Sequence, residues 1–256
     1  MIKLLLTTLL LFTSITSFAT QKITAKSYLV VDEFGDIVVE KNADDLRSIA
    51  SITKLMTAMV VLDAKLPLDE LIYIDPTTRK IYNKSIPQRV SYLSRQEMLD
   101  LAVAKSDNMS AYLLCKHYPG GVENCITAMN VKAIMLGLVN TKFVDPTGLD
   151  SNNISTAREL VRLVIEAQNY SEIVDASGKP YVDITISNSQ QKFNNTNPLV
   201  HARNDVIVSK TGYIAAAGGC LVMLMETEFG RRVIVLLGSR NTKTRAPEAL
   251  RIALVN

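Results

Sequence analysis

Histidine is scarce in this 256-residue chain. His117 and His201 sit in unrelated contexts, and the three cysteines are not clustered, so no metal-ligand spacing is present and no cofactor is expected. A strong excess of one charge is also missing, which argues against nucleic acid as a partner. Loss of Lys3 with the leader described next takes the 28 basic side chains to 27 against 25 acidic ones, a net +2. The apolar run Leu4 to Phe12 falls short of the roughly 20 residues that span a bilayer. With Lys3 before it and Ser17-Phe-Ala19 after it, this run reads as a secretory signal peptide, residues 1–19, cut after Ala19. No cysteine follows the cut to carry a lipid, so no stable membrane anchor is expected. Internal repeats and low-complexity tracts are absent as well.

What is present is a chain 48% hydrophobic, enough for one full-sized domain over residues 20–256, with two lobes sharing a core as one arrangement. Ser27 to Asp32 and Asp36 to Glu40 are short β-branched runs around Glu33-Phe-Gly35, a hairpin pattern. Asp205 to Ser209, Cys220 to Glu226 and Arg232 to Leu237 read as three more strands, the last two joined at Glu228-Phe-Gly230. Between these ends the chain is mostly helical. Capping boxes at Ser94-Arg-Gln-Glu97 and Thr156-Ala-Arg-Glu159 mark two helix starts. The Asn-rich stretch Ser187 to Asn197 reads as loop or a short strand pair, and Glu248 to Val255 as a final helix. Strands from both ends around a helical insert give an α+β class: one five-stranded antiparallel sheet packed by helices, plus a helical lobe. Cys115 and Cys125 flank the turn His117 to Gly121 and could bridge, with buried free thiols as the alternative; Cys220 is left over.

Ser48 to Leu62 reads as one helix, apolar on nearly every side, with Lys54 in its first turn. A helix of that kind is buried, and an ammonium there must be paired or give up its proton. Ser51, three residues earlier, shares its face. A desolvated lysine can act as the base that activates a serine hydroxyl, so Ser51 and Lys54 form a candidate nucleophile and base. Spacing alone is weak, because S-x-x-K arises about once by chance in a chain of this length. Ser189-Gln-Gln-Lys192 repeats it, in a polar segment with nothing to bury its lysine.

Two further motifs add weight through order and context. S-x-N occurs at Ser106-Asp-Asn108, Ser151-Asn-Asn153 and Ser239-Arg-Asn241, and only Ser106 lies between two apolar helical stretches, where hydroxyl and amide can project into a cleft. Lys210-Thr-Gly212 ends a strand whose edge could take an extended peptide: Lys210 brings charge, Thr211 a hydroxyl, and Gly212 close approach.

Ser-x-x-Lys, Ser-x-Asn and Lys-Thr-Gly in this order are the set of the penicillin-binding proteins and class A β-lactamases. From about Lys26 to Glu226 the chain resembles the low-molecular-mass penicillin-binding proteins of the D-alanyl-D-alanine endopeptidase and carboxypeptidase type, above all the endopeptidases, known as the penicillin-binding protein seven type. The likeness is carried by Ile49 to Ala64 with Leu66-Pro-Leu-Asp-Glu70, Phe143-Val-Asp-Pro-Thr-Gly-Leu149, Asn195-Thr-Asn-Pro-Leu-Val200 and Ser209-Lys-Thr-Gly-Tyr213. It implies a β-lactamase/transpeptidase-like fold and an acyl-enzyme on Ser51. It further implies Lys54 as base, Ser106 as proton relay, Asn108 holding lysine and substrate, Lys210 and Thr211 on a substrate carboxylate, and the backbone N–H groups of Ser51 and Tyr213, beside Gly212, as oxyanion hole. Ser106-Asp-Asn108 departs towards the β-lactamase form, yet no Glu-x-x-Leu-Asn follows it to supply a deacylating glutamate.

The expected function is therefore a periplasmic serine peptidase, of a Gram-negative cell, acting on peptidoglycan stem peptides and cross-links and trapped by β-lactams. The 44 residues after Gly212 leave room for two strands and a helix, which favours an endopeptidase over a carboxypeptidase with its extra β domain and anchor. A carboxypeptidase, a class A-like β-lactamase and a non-catalytic cell-wall sensing module are the alternatives; the last predicts a damaged motif, and all three motifs are intact.

Overall fold

Alternation along the strands decides the layers. In a strand, successive side chains point to opposite faces. Leu29 and Val31, Val222 and Leu224, and Val233, Val235 and Leu237 all enter one buried cluster, whereas Val30, Leu221, Met223, Met225, Ile234 and Leu236 enter a second. The sheet they build is therefore apolar on both faces and must be covered on both. This is why Cys220 to Met225 and Val233 to Leu237 read as unbroken apolar runs.

The computed structural model describes residues 22–82, 86–186 and 189–256. The proposed leader, residues 1–19, lies outside the described residues. The sheet comprises β1 (Ser27–Asp32), β2 (Ile37–Lys41), β5 (Val206–Ile214), β6 (Gly218–Thr227) and β7 (Gly230–Ser239). A separate hairpin pairs β3 (Tyr181–Ile186) with β4 (Ser189–Asn194); only β4 falls within the Asn-rich stretch Ser187 to Asn197, and its partner strand comes from the chain before it. Strand order in the sheet is β2-β1-β7-β6-β5, antiparallel throughout, with β5 at the edge.

Helix α8 (Arg245–Ala253) covers one face through Ala246, Ala249, Ile252 and Ala253. It starts three residues earlier than the sequence pattern suggests, because Pro247 falls in the first turn, where a missing N–H is harmless. The other face meets α6 (Ala157–Ala167), and α1 (Thr53–Asp63) packs against α6 within the same buried cluster. Around α1 stand α2 (Pro76–Tyr82), α3 (Arg95–Asp100), α4 (Asn108–Lys116), α5 (Gly121–Met135) and α7 (Ser171–Gly178), the helical lobe. Cys115 and Cys125 form a disulfide joining the end of α4 to the start of α5; Cys220 is a buried free thiol. Among the described residues no helix is long and apolar enough to cross a membrane.

Three local expectations are corrected. The helix drawn from Ser48 begins later: Arg47 and Ser48 pair with Ser155 and Ile154, and Ala50–Ile52 form a 3-10 turn before α1. Ala50 there has φ +47°, a left-handed conformation. The stretch Met98 to Ala104 is not one α-helix, since α3 widens into a π turn over Leu101–Lys105 that ends at Ser106. Of the two capping boxes, Ser94 and Glu97 bond reciprocally, Ser94 Oγ accepting from Glu97 N (3.1 Å) and Glu97 Oε2 from Ser94 N (2.8 Å). Thr156 caps α6 alone, because buried Glu159 turns instead to Asn140 N (2.9 Å) and Thr141 Oγ1 (2.6 Å).

Candidate active site

Helix α1 is buried over Thr53 to Val61, and its first turn carries Lys54 with no exposed surface. The amine finds three oxygens there. Lys54 Nζ donates to Thr147 O (2.5 Å), Asn108 Oδ1 (2.8 Å) and Ser51 Oγ (3.0 Å). Burial pushes the amine down to about 7, against the pull of the Asp107 and Asp145 carboxylates, which favour the charged form. A neutral amine hydrogen-bonded to a serine hydroxyl is a base within reach of its proton.

Asn108 reaches Lys54 because of what precedes it. The π turn closes with Asp107 N donating to Leu101 O (3.0 Å), and Ser106 takes φ +61°, a left-handed conformation of the kind that costs about 1–2 kcal/mol and gathers at functional sites. Asp107 then caps α4, its Oδ1 accepting from Ser110 N (2.8 Å) and Ser110 Oγ (2.9 Å). Asn108 becomes the first residue of α4, and Ser106 and Asn108 stand on the wall of one cleft.

Edge strand β5 supplies the opposite wall. Lys210-Thr-Gly212 lies inside this strand and not at its end, since pairing continues through Gly212↔Cys220 to Ile214↔Gly218. The first half of the outer edge is blocked: a Cβ on Gly178 would stand 3.0 Å from Val206 O, and Ser209 Oγ donates to Ser177 O. The second half borders the cleft. Gly212 is required there, because a Cβ would stand 2.9 Å from Ser51 N and 3.0 Å from Ile49 O. Gly148, with φ +78°, presses in as closely, 2.1 Å from Ala50 O by the same construction.

The cleft, about 240 Å³, is lined by Ser51, Ser106, Asn108, Thr211, Gly212 and Tyr213, so six of the eight residues expected from the sequence meet on its surface. Lys54 lies directly beneath Ser51. Lys210 is also buried, donating to Thr211 O (3.0 Å); burial, then the neighbouring Lys54 and Arg245, hold its amine well below the usual lysine range. Thr211 Oγ1 donates to Thr196 Oγ1 (2.6 Å), which ties the strand to the segment Asn195 to Val200. Ser189-Gln-Gln-Lys192 stays apart on β4, with exposed Lys192 over the Tyr181 ring (3.9 Å).

Sequence reasoning missed Thr147, Thr196, Thr242 and Arg245. Thr147 and Thr196 lie in segments whose family likeness was visible, without any pattern assigning them a role. Arg245, whose Nη1 donates to Gly212 O (2.8 Å), comes from α8 and had no sequence signal.

The D-alanyl-D-alanine carboxypeptidase family model matches residues 14–241. The chain is 44% identical over 216 residues, 81% of this chain and 69% of the other, to a D-alanyl-D-alanine endopeptidase of Escherichia coli (strain K12). Among solved structures, the Streptomyces K15 DD-transpeptidase aligns with TM-score 0.82 at 26% identity, covering 90% of this chain and 96% of that one. Penicillin-binding protein D2 from Listeria monocytogenes, in its cefotaxime-bound form, aligns with TM-score 0.79 at 26% identity, covering 91% and 97%. The fold is thus that of a known group, and the chain belongs to the D-alanyl-D-alanine carboxypeptidase family of serine hydrolases.

Proposed function

We propose that the chain is a secreted serine peptidase that hydrolyses D-alanyl peptide cross-links of peptidoglycan through an acyl-enzyme on Ser51. The observation that carries this is the buried Lys54 amine hydrogen-bonded to Ser51 Oγ at 3.0 Å. Lys54 takes the hydroxyl proton as Ser51 Oγ attacks the D-Ala carbonyl, and the Ser51 and Tyr213 N–H groups receive the oxyanion. Ser106, on the cleft wall, passes a proton to the leaving amine as the C–N bond breaks, while Asn108 holds the lysine and the substrate backbone. Thr211 and Lys210 bind the substrate carboxylate. Water then attacks the ester and restores Ser51.

The resemblance to named endopeptidases supports cross-links over terminal D-Ala as the substrate. The cefotaxime-bound neighbour supports β-lactams as covalent inhibitors. Residues 1–19 read as a leader, and the Cys115–Cys125 disulfide suits an oxidising compartment, both favouring the periplasm of a Gram-negative cell. Residues 20–256 act as one catalytic unit in this reading.

Incubation of the mature protein and Ser51→Ala with a fluorescent penicillin tests the mechanism: a stable covalent band on the wild type alone is expected, and no band on the wild type sinks it. A band that vanishes within seconds favours the β-lactamase. Purified muropeptide dimers converted to monomers mark the endopeptidase, whereas loss of only terminal D-Ala marks the carboxypeptidase.

A further inference from the structure

Asp145 gathers five donors. Its Oδ1 accepts from Thr147 N (2.5 Å), Thr147 Oγ1 (2.5 Å) and Gly148 N (2.9 Å), and its Oδ2 from Asp150 N (2.9 Å) and Asn153 Nδ2 (2.6 Å). Fully buried Asn153 extends the knot, accepting Val144 N at Oδ1 (2.8 Å) and Ile49 N at its carbonyl (3.0 Å). From the other side, Thr57 Oγ1 on α1 donates to Pro146 O (2.8 Å). The segment leading to Ser51 and the helix carrying Lys54 are therefore both tied to one loop. The Thr147 carbonyl of that loop faces Lys54 Nζ at 2.5 Å.

The valence of the amine gives this carbonyl a task. An ammonium has three N–H bonds for its three oxygen neighbours, but a neutral amine has two and one lone pair. Thr147 O and Asn108 Oδ1 can only accept, so both remaining N–H bonds stay on them. The lone pair is left facing Ser51 Oγ, the one neighbour of the three that carries a proton.

We propose that Asp145 is a positioning residue for acylation, holding the Thr147 carbonyl as the fixed acceptor that aims the Lys54 lone pair at the Ser51 hydroxyl. The inference rests on the reading of Ser51 as nucleophile and Lys54 as base. Asp145 also acts through space. The charged groups acting on Lys54 are Asp107 before α4 and Asp145 in this loop, whose carboxylates favour the ammonium; the neighbouring Lys210 on β5 is itself held well below the usual lysine range, by burial first and then by Lys54. Removing one carboxylate moves deprotonation of Lys54 to lower pH.

The test is the second-order rate of acylation by a fluorescent penicillin from pH 5 to 9, with thermal melting, for the wild type, Asp145→Asn and Thr147→Val. For Asp145→Asn we expect a plateau rate lower by roughly 100-fold, the scale set by misplacing a reacting group by about 1 Å, with the acid-side midpoint moved to lower pH. Thr147→Val, which removes one donor and keeps the carboxylate, slows the plateau several-fold with the midpoint unmoved. A wild type that never acylates overturns the underlying reading. If the wild type acylates, an Asp145→Asn plateau at the wild-type rate, or a slower plateau with an unmoved midpoint, overturns the positioning role and leaves that reading standing. If Asp145→Asn melts below the assay temperature, Thr147→Val decides, and an unchanged plateau there overturns the proposal.

Discussion

Asn108 Oδ1 and Lys54 Nζ stand 2.8 Å apart, joining the first residue of α4 to the second residue of α1. The bond leaves neither partner free to turn. Asn108→Ala strands a buried N–H without its acceptor, a loss of about 1–3 kcal/mol. Acylation by a fluorescent penicillin should slow roughly 5- to 150-fold, with the fold retained by circular dichroism. An unchanged rate would show that the amide does not orient the lysine.

The amine held at about 7 sets a pH dependence of two kinds. As a base, Lys54 must be neutral, so acylation should fall about tenfold per unit as pH drops below roughly 6. As a buried group whose value is depressed from about 10.4, it binds fewer protons folded than unfolded between pH 7 and 10.4. The penalty is complete below pH 7 and disappears as pH rises through that window, so stability increases with pH. Lys54→Met removes the dependence. Urea melts should show the wild type gaining on this inactive variant by something on the order of 5 kcal/mol from pH 7 to 10.4; a gap constant with pH refutes the depressed amine.

The sheet and the position of the cleft were legible because they follow from local pattern. Short, β-branched, unbroken apolar runs such as Val233 to Leu237 specify buried strands, and Lys54 in an apolar helix is a conflict that the sequence itself displays. What escaped was set by chain far away. Nothing near Ser48 announces that Gly148 and Gly212 will press on Ala50 and Ser51 and turn the predicted helix start into a 3-10 turn. Likewise the wide turn before Ser106 depends on Thr196, whose N–H and hydroxyl both reach Ala104 O. Glu159 fits half of a capping box by its spacing, yet the polar groups of Asn140 and Thr141 that capture it lie on another segment.

Gly148→Ala tests how tightly that loop is seated. Besides its φ of +78°, a Cβ would meet Ala50 O at 2.1 Å and Ser51 N at 2.9 Å, with backbone and no flexible side chain to give way. The nucleophile segment must shift. Acylation should fall at least 100-fold and melting temperature should drop. Retention of wild-type acylation would contradict the contact.

The disulfide lies near the end of α4 away from Asn108, Cys115 being seven helical residues or about 10 Å distant. Closing a ten-residue separation is worth about 2–3 kcal/mol. Replacing Cys115 and Cys125 together by Ser should therefore lower the melting temperature by roughly 5–10 °C at this chain length, while the acylation rate at 25 °C stays within about twofold. A rate that falls with the melting temperature unchanged would reverse this assignment.

Arg245, a residue on the cleft wall without a sequence signal, makes the sharpest separation between binding and chemistry. Its Nη1 donates to Gly212 O at 2.8 Å, and its Nε is buried without a partner. Burial disfavours its charge, so a carboxylate entering the cleft gains a strongly desolvated counter-ion. Arg245→Lys keeps a positive charge and loses the planar fork, so it should weaken apparent affinity for a carboxylate-bearing peptide about tenfold with the limiting rate within twofold. Arg245→Ala should lower kcat/KM by roughly 100-fold, mostly through KM. Steady-state kinetics on muropeptide dimers, compared with dimers amidated at the carboxylate next to the scissile bond, supply the check: Arg245→Ala must lose its defect relative to wild type on the amidated substrate. If the defect is the same on both substrates, Arg245 supports Gly212 and reads no carboxylate.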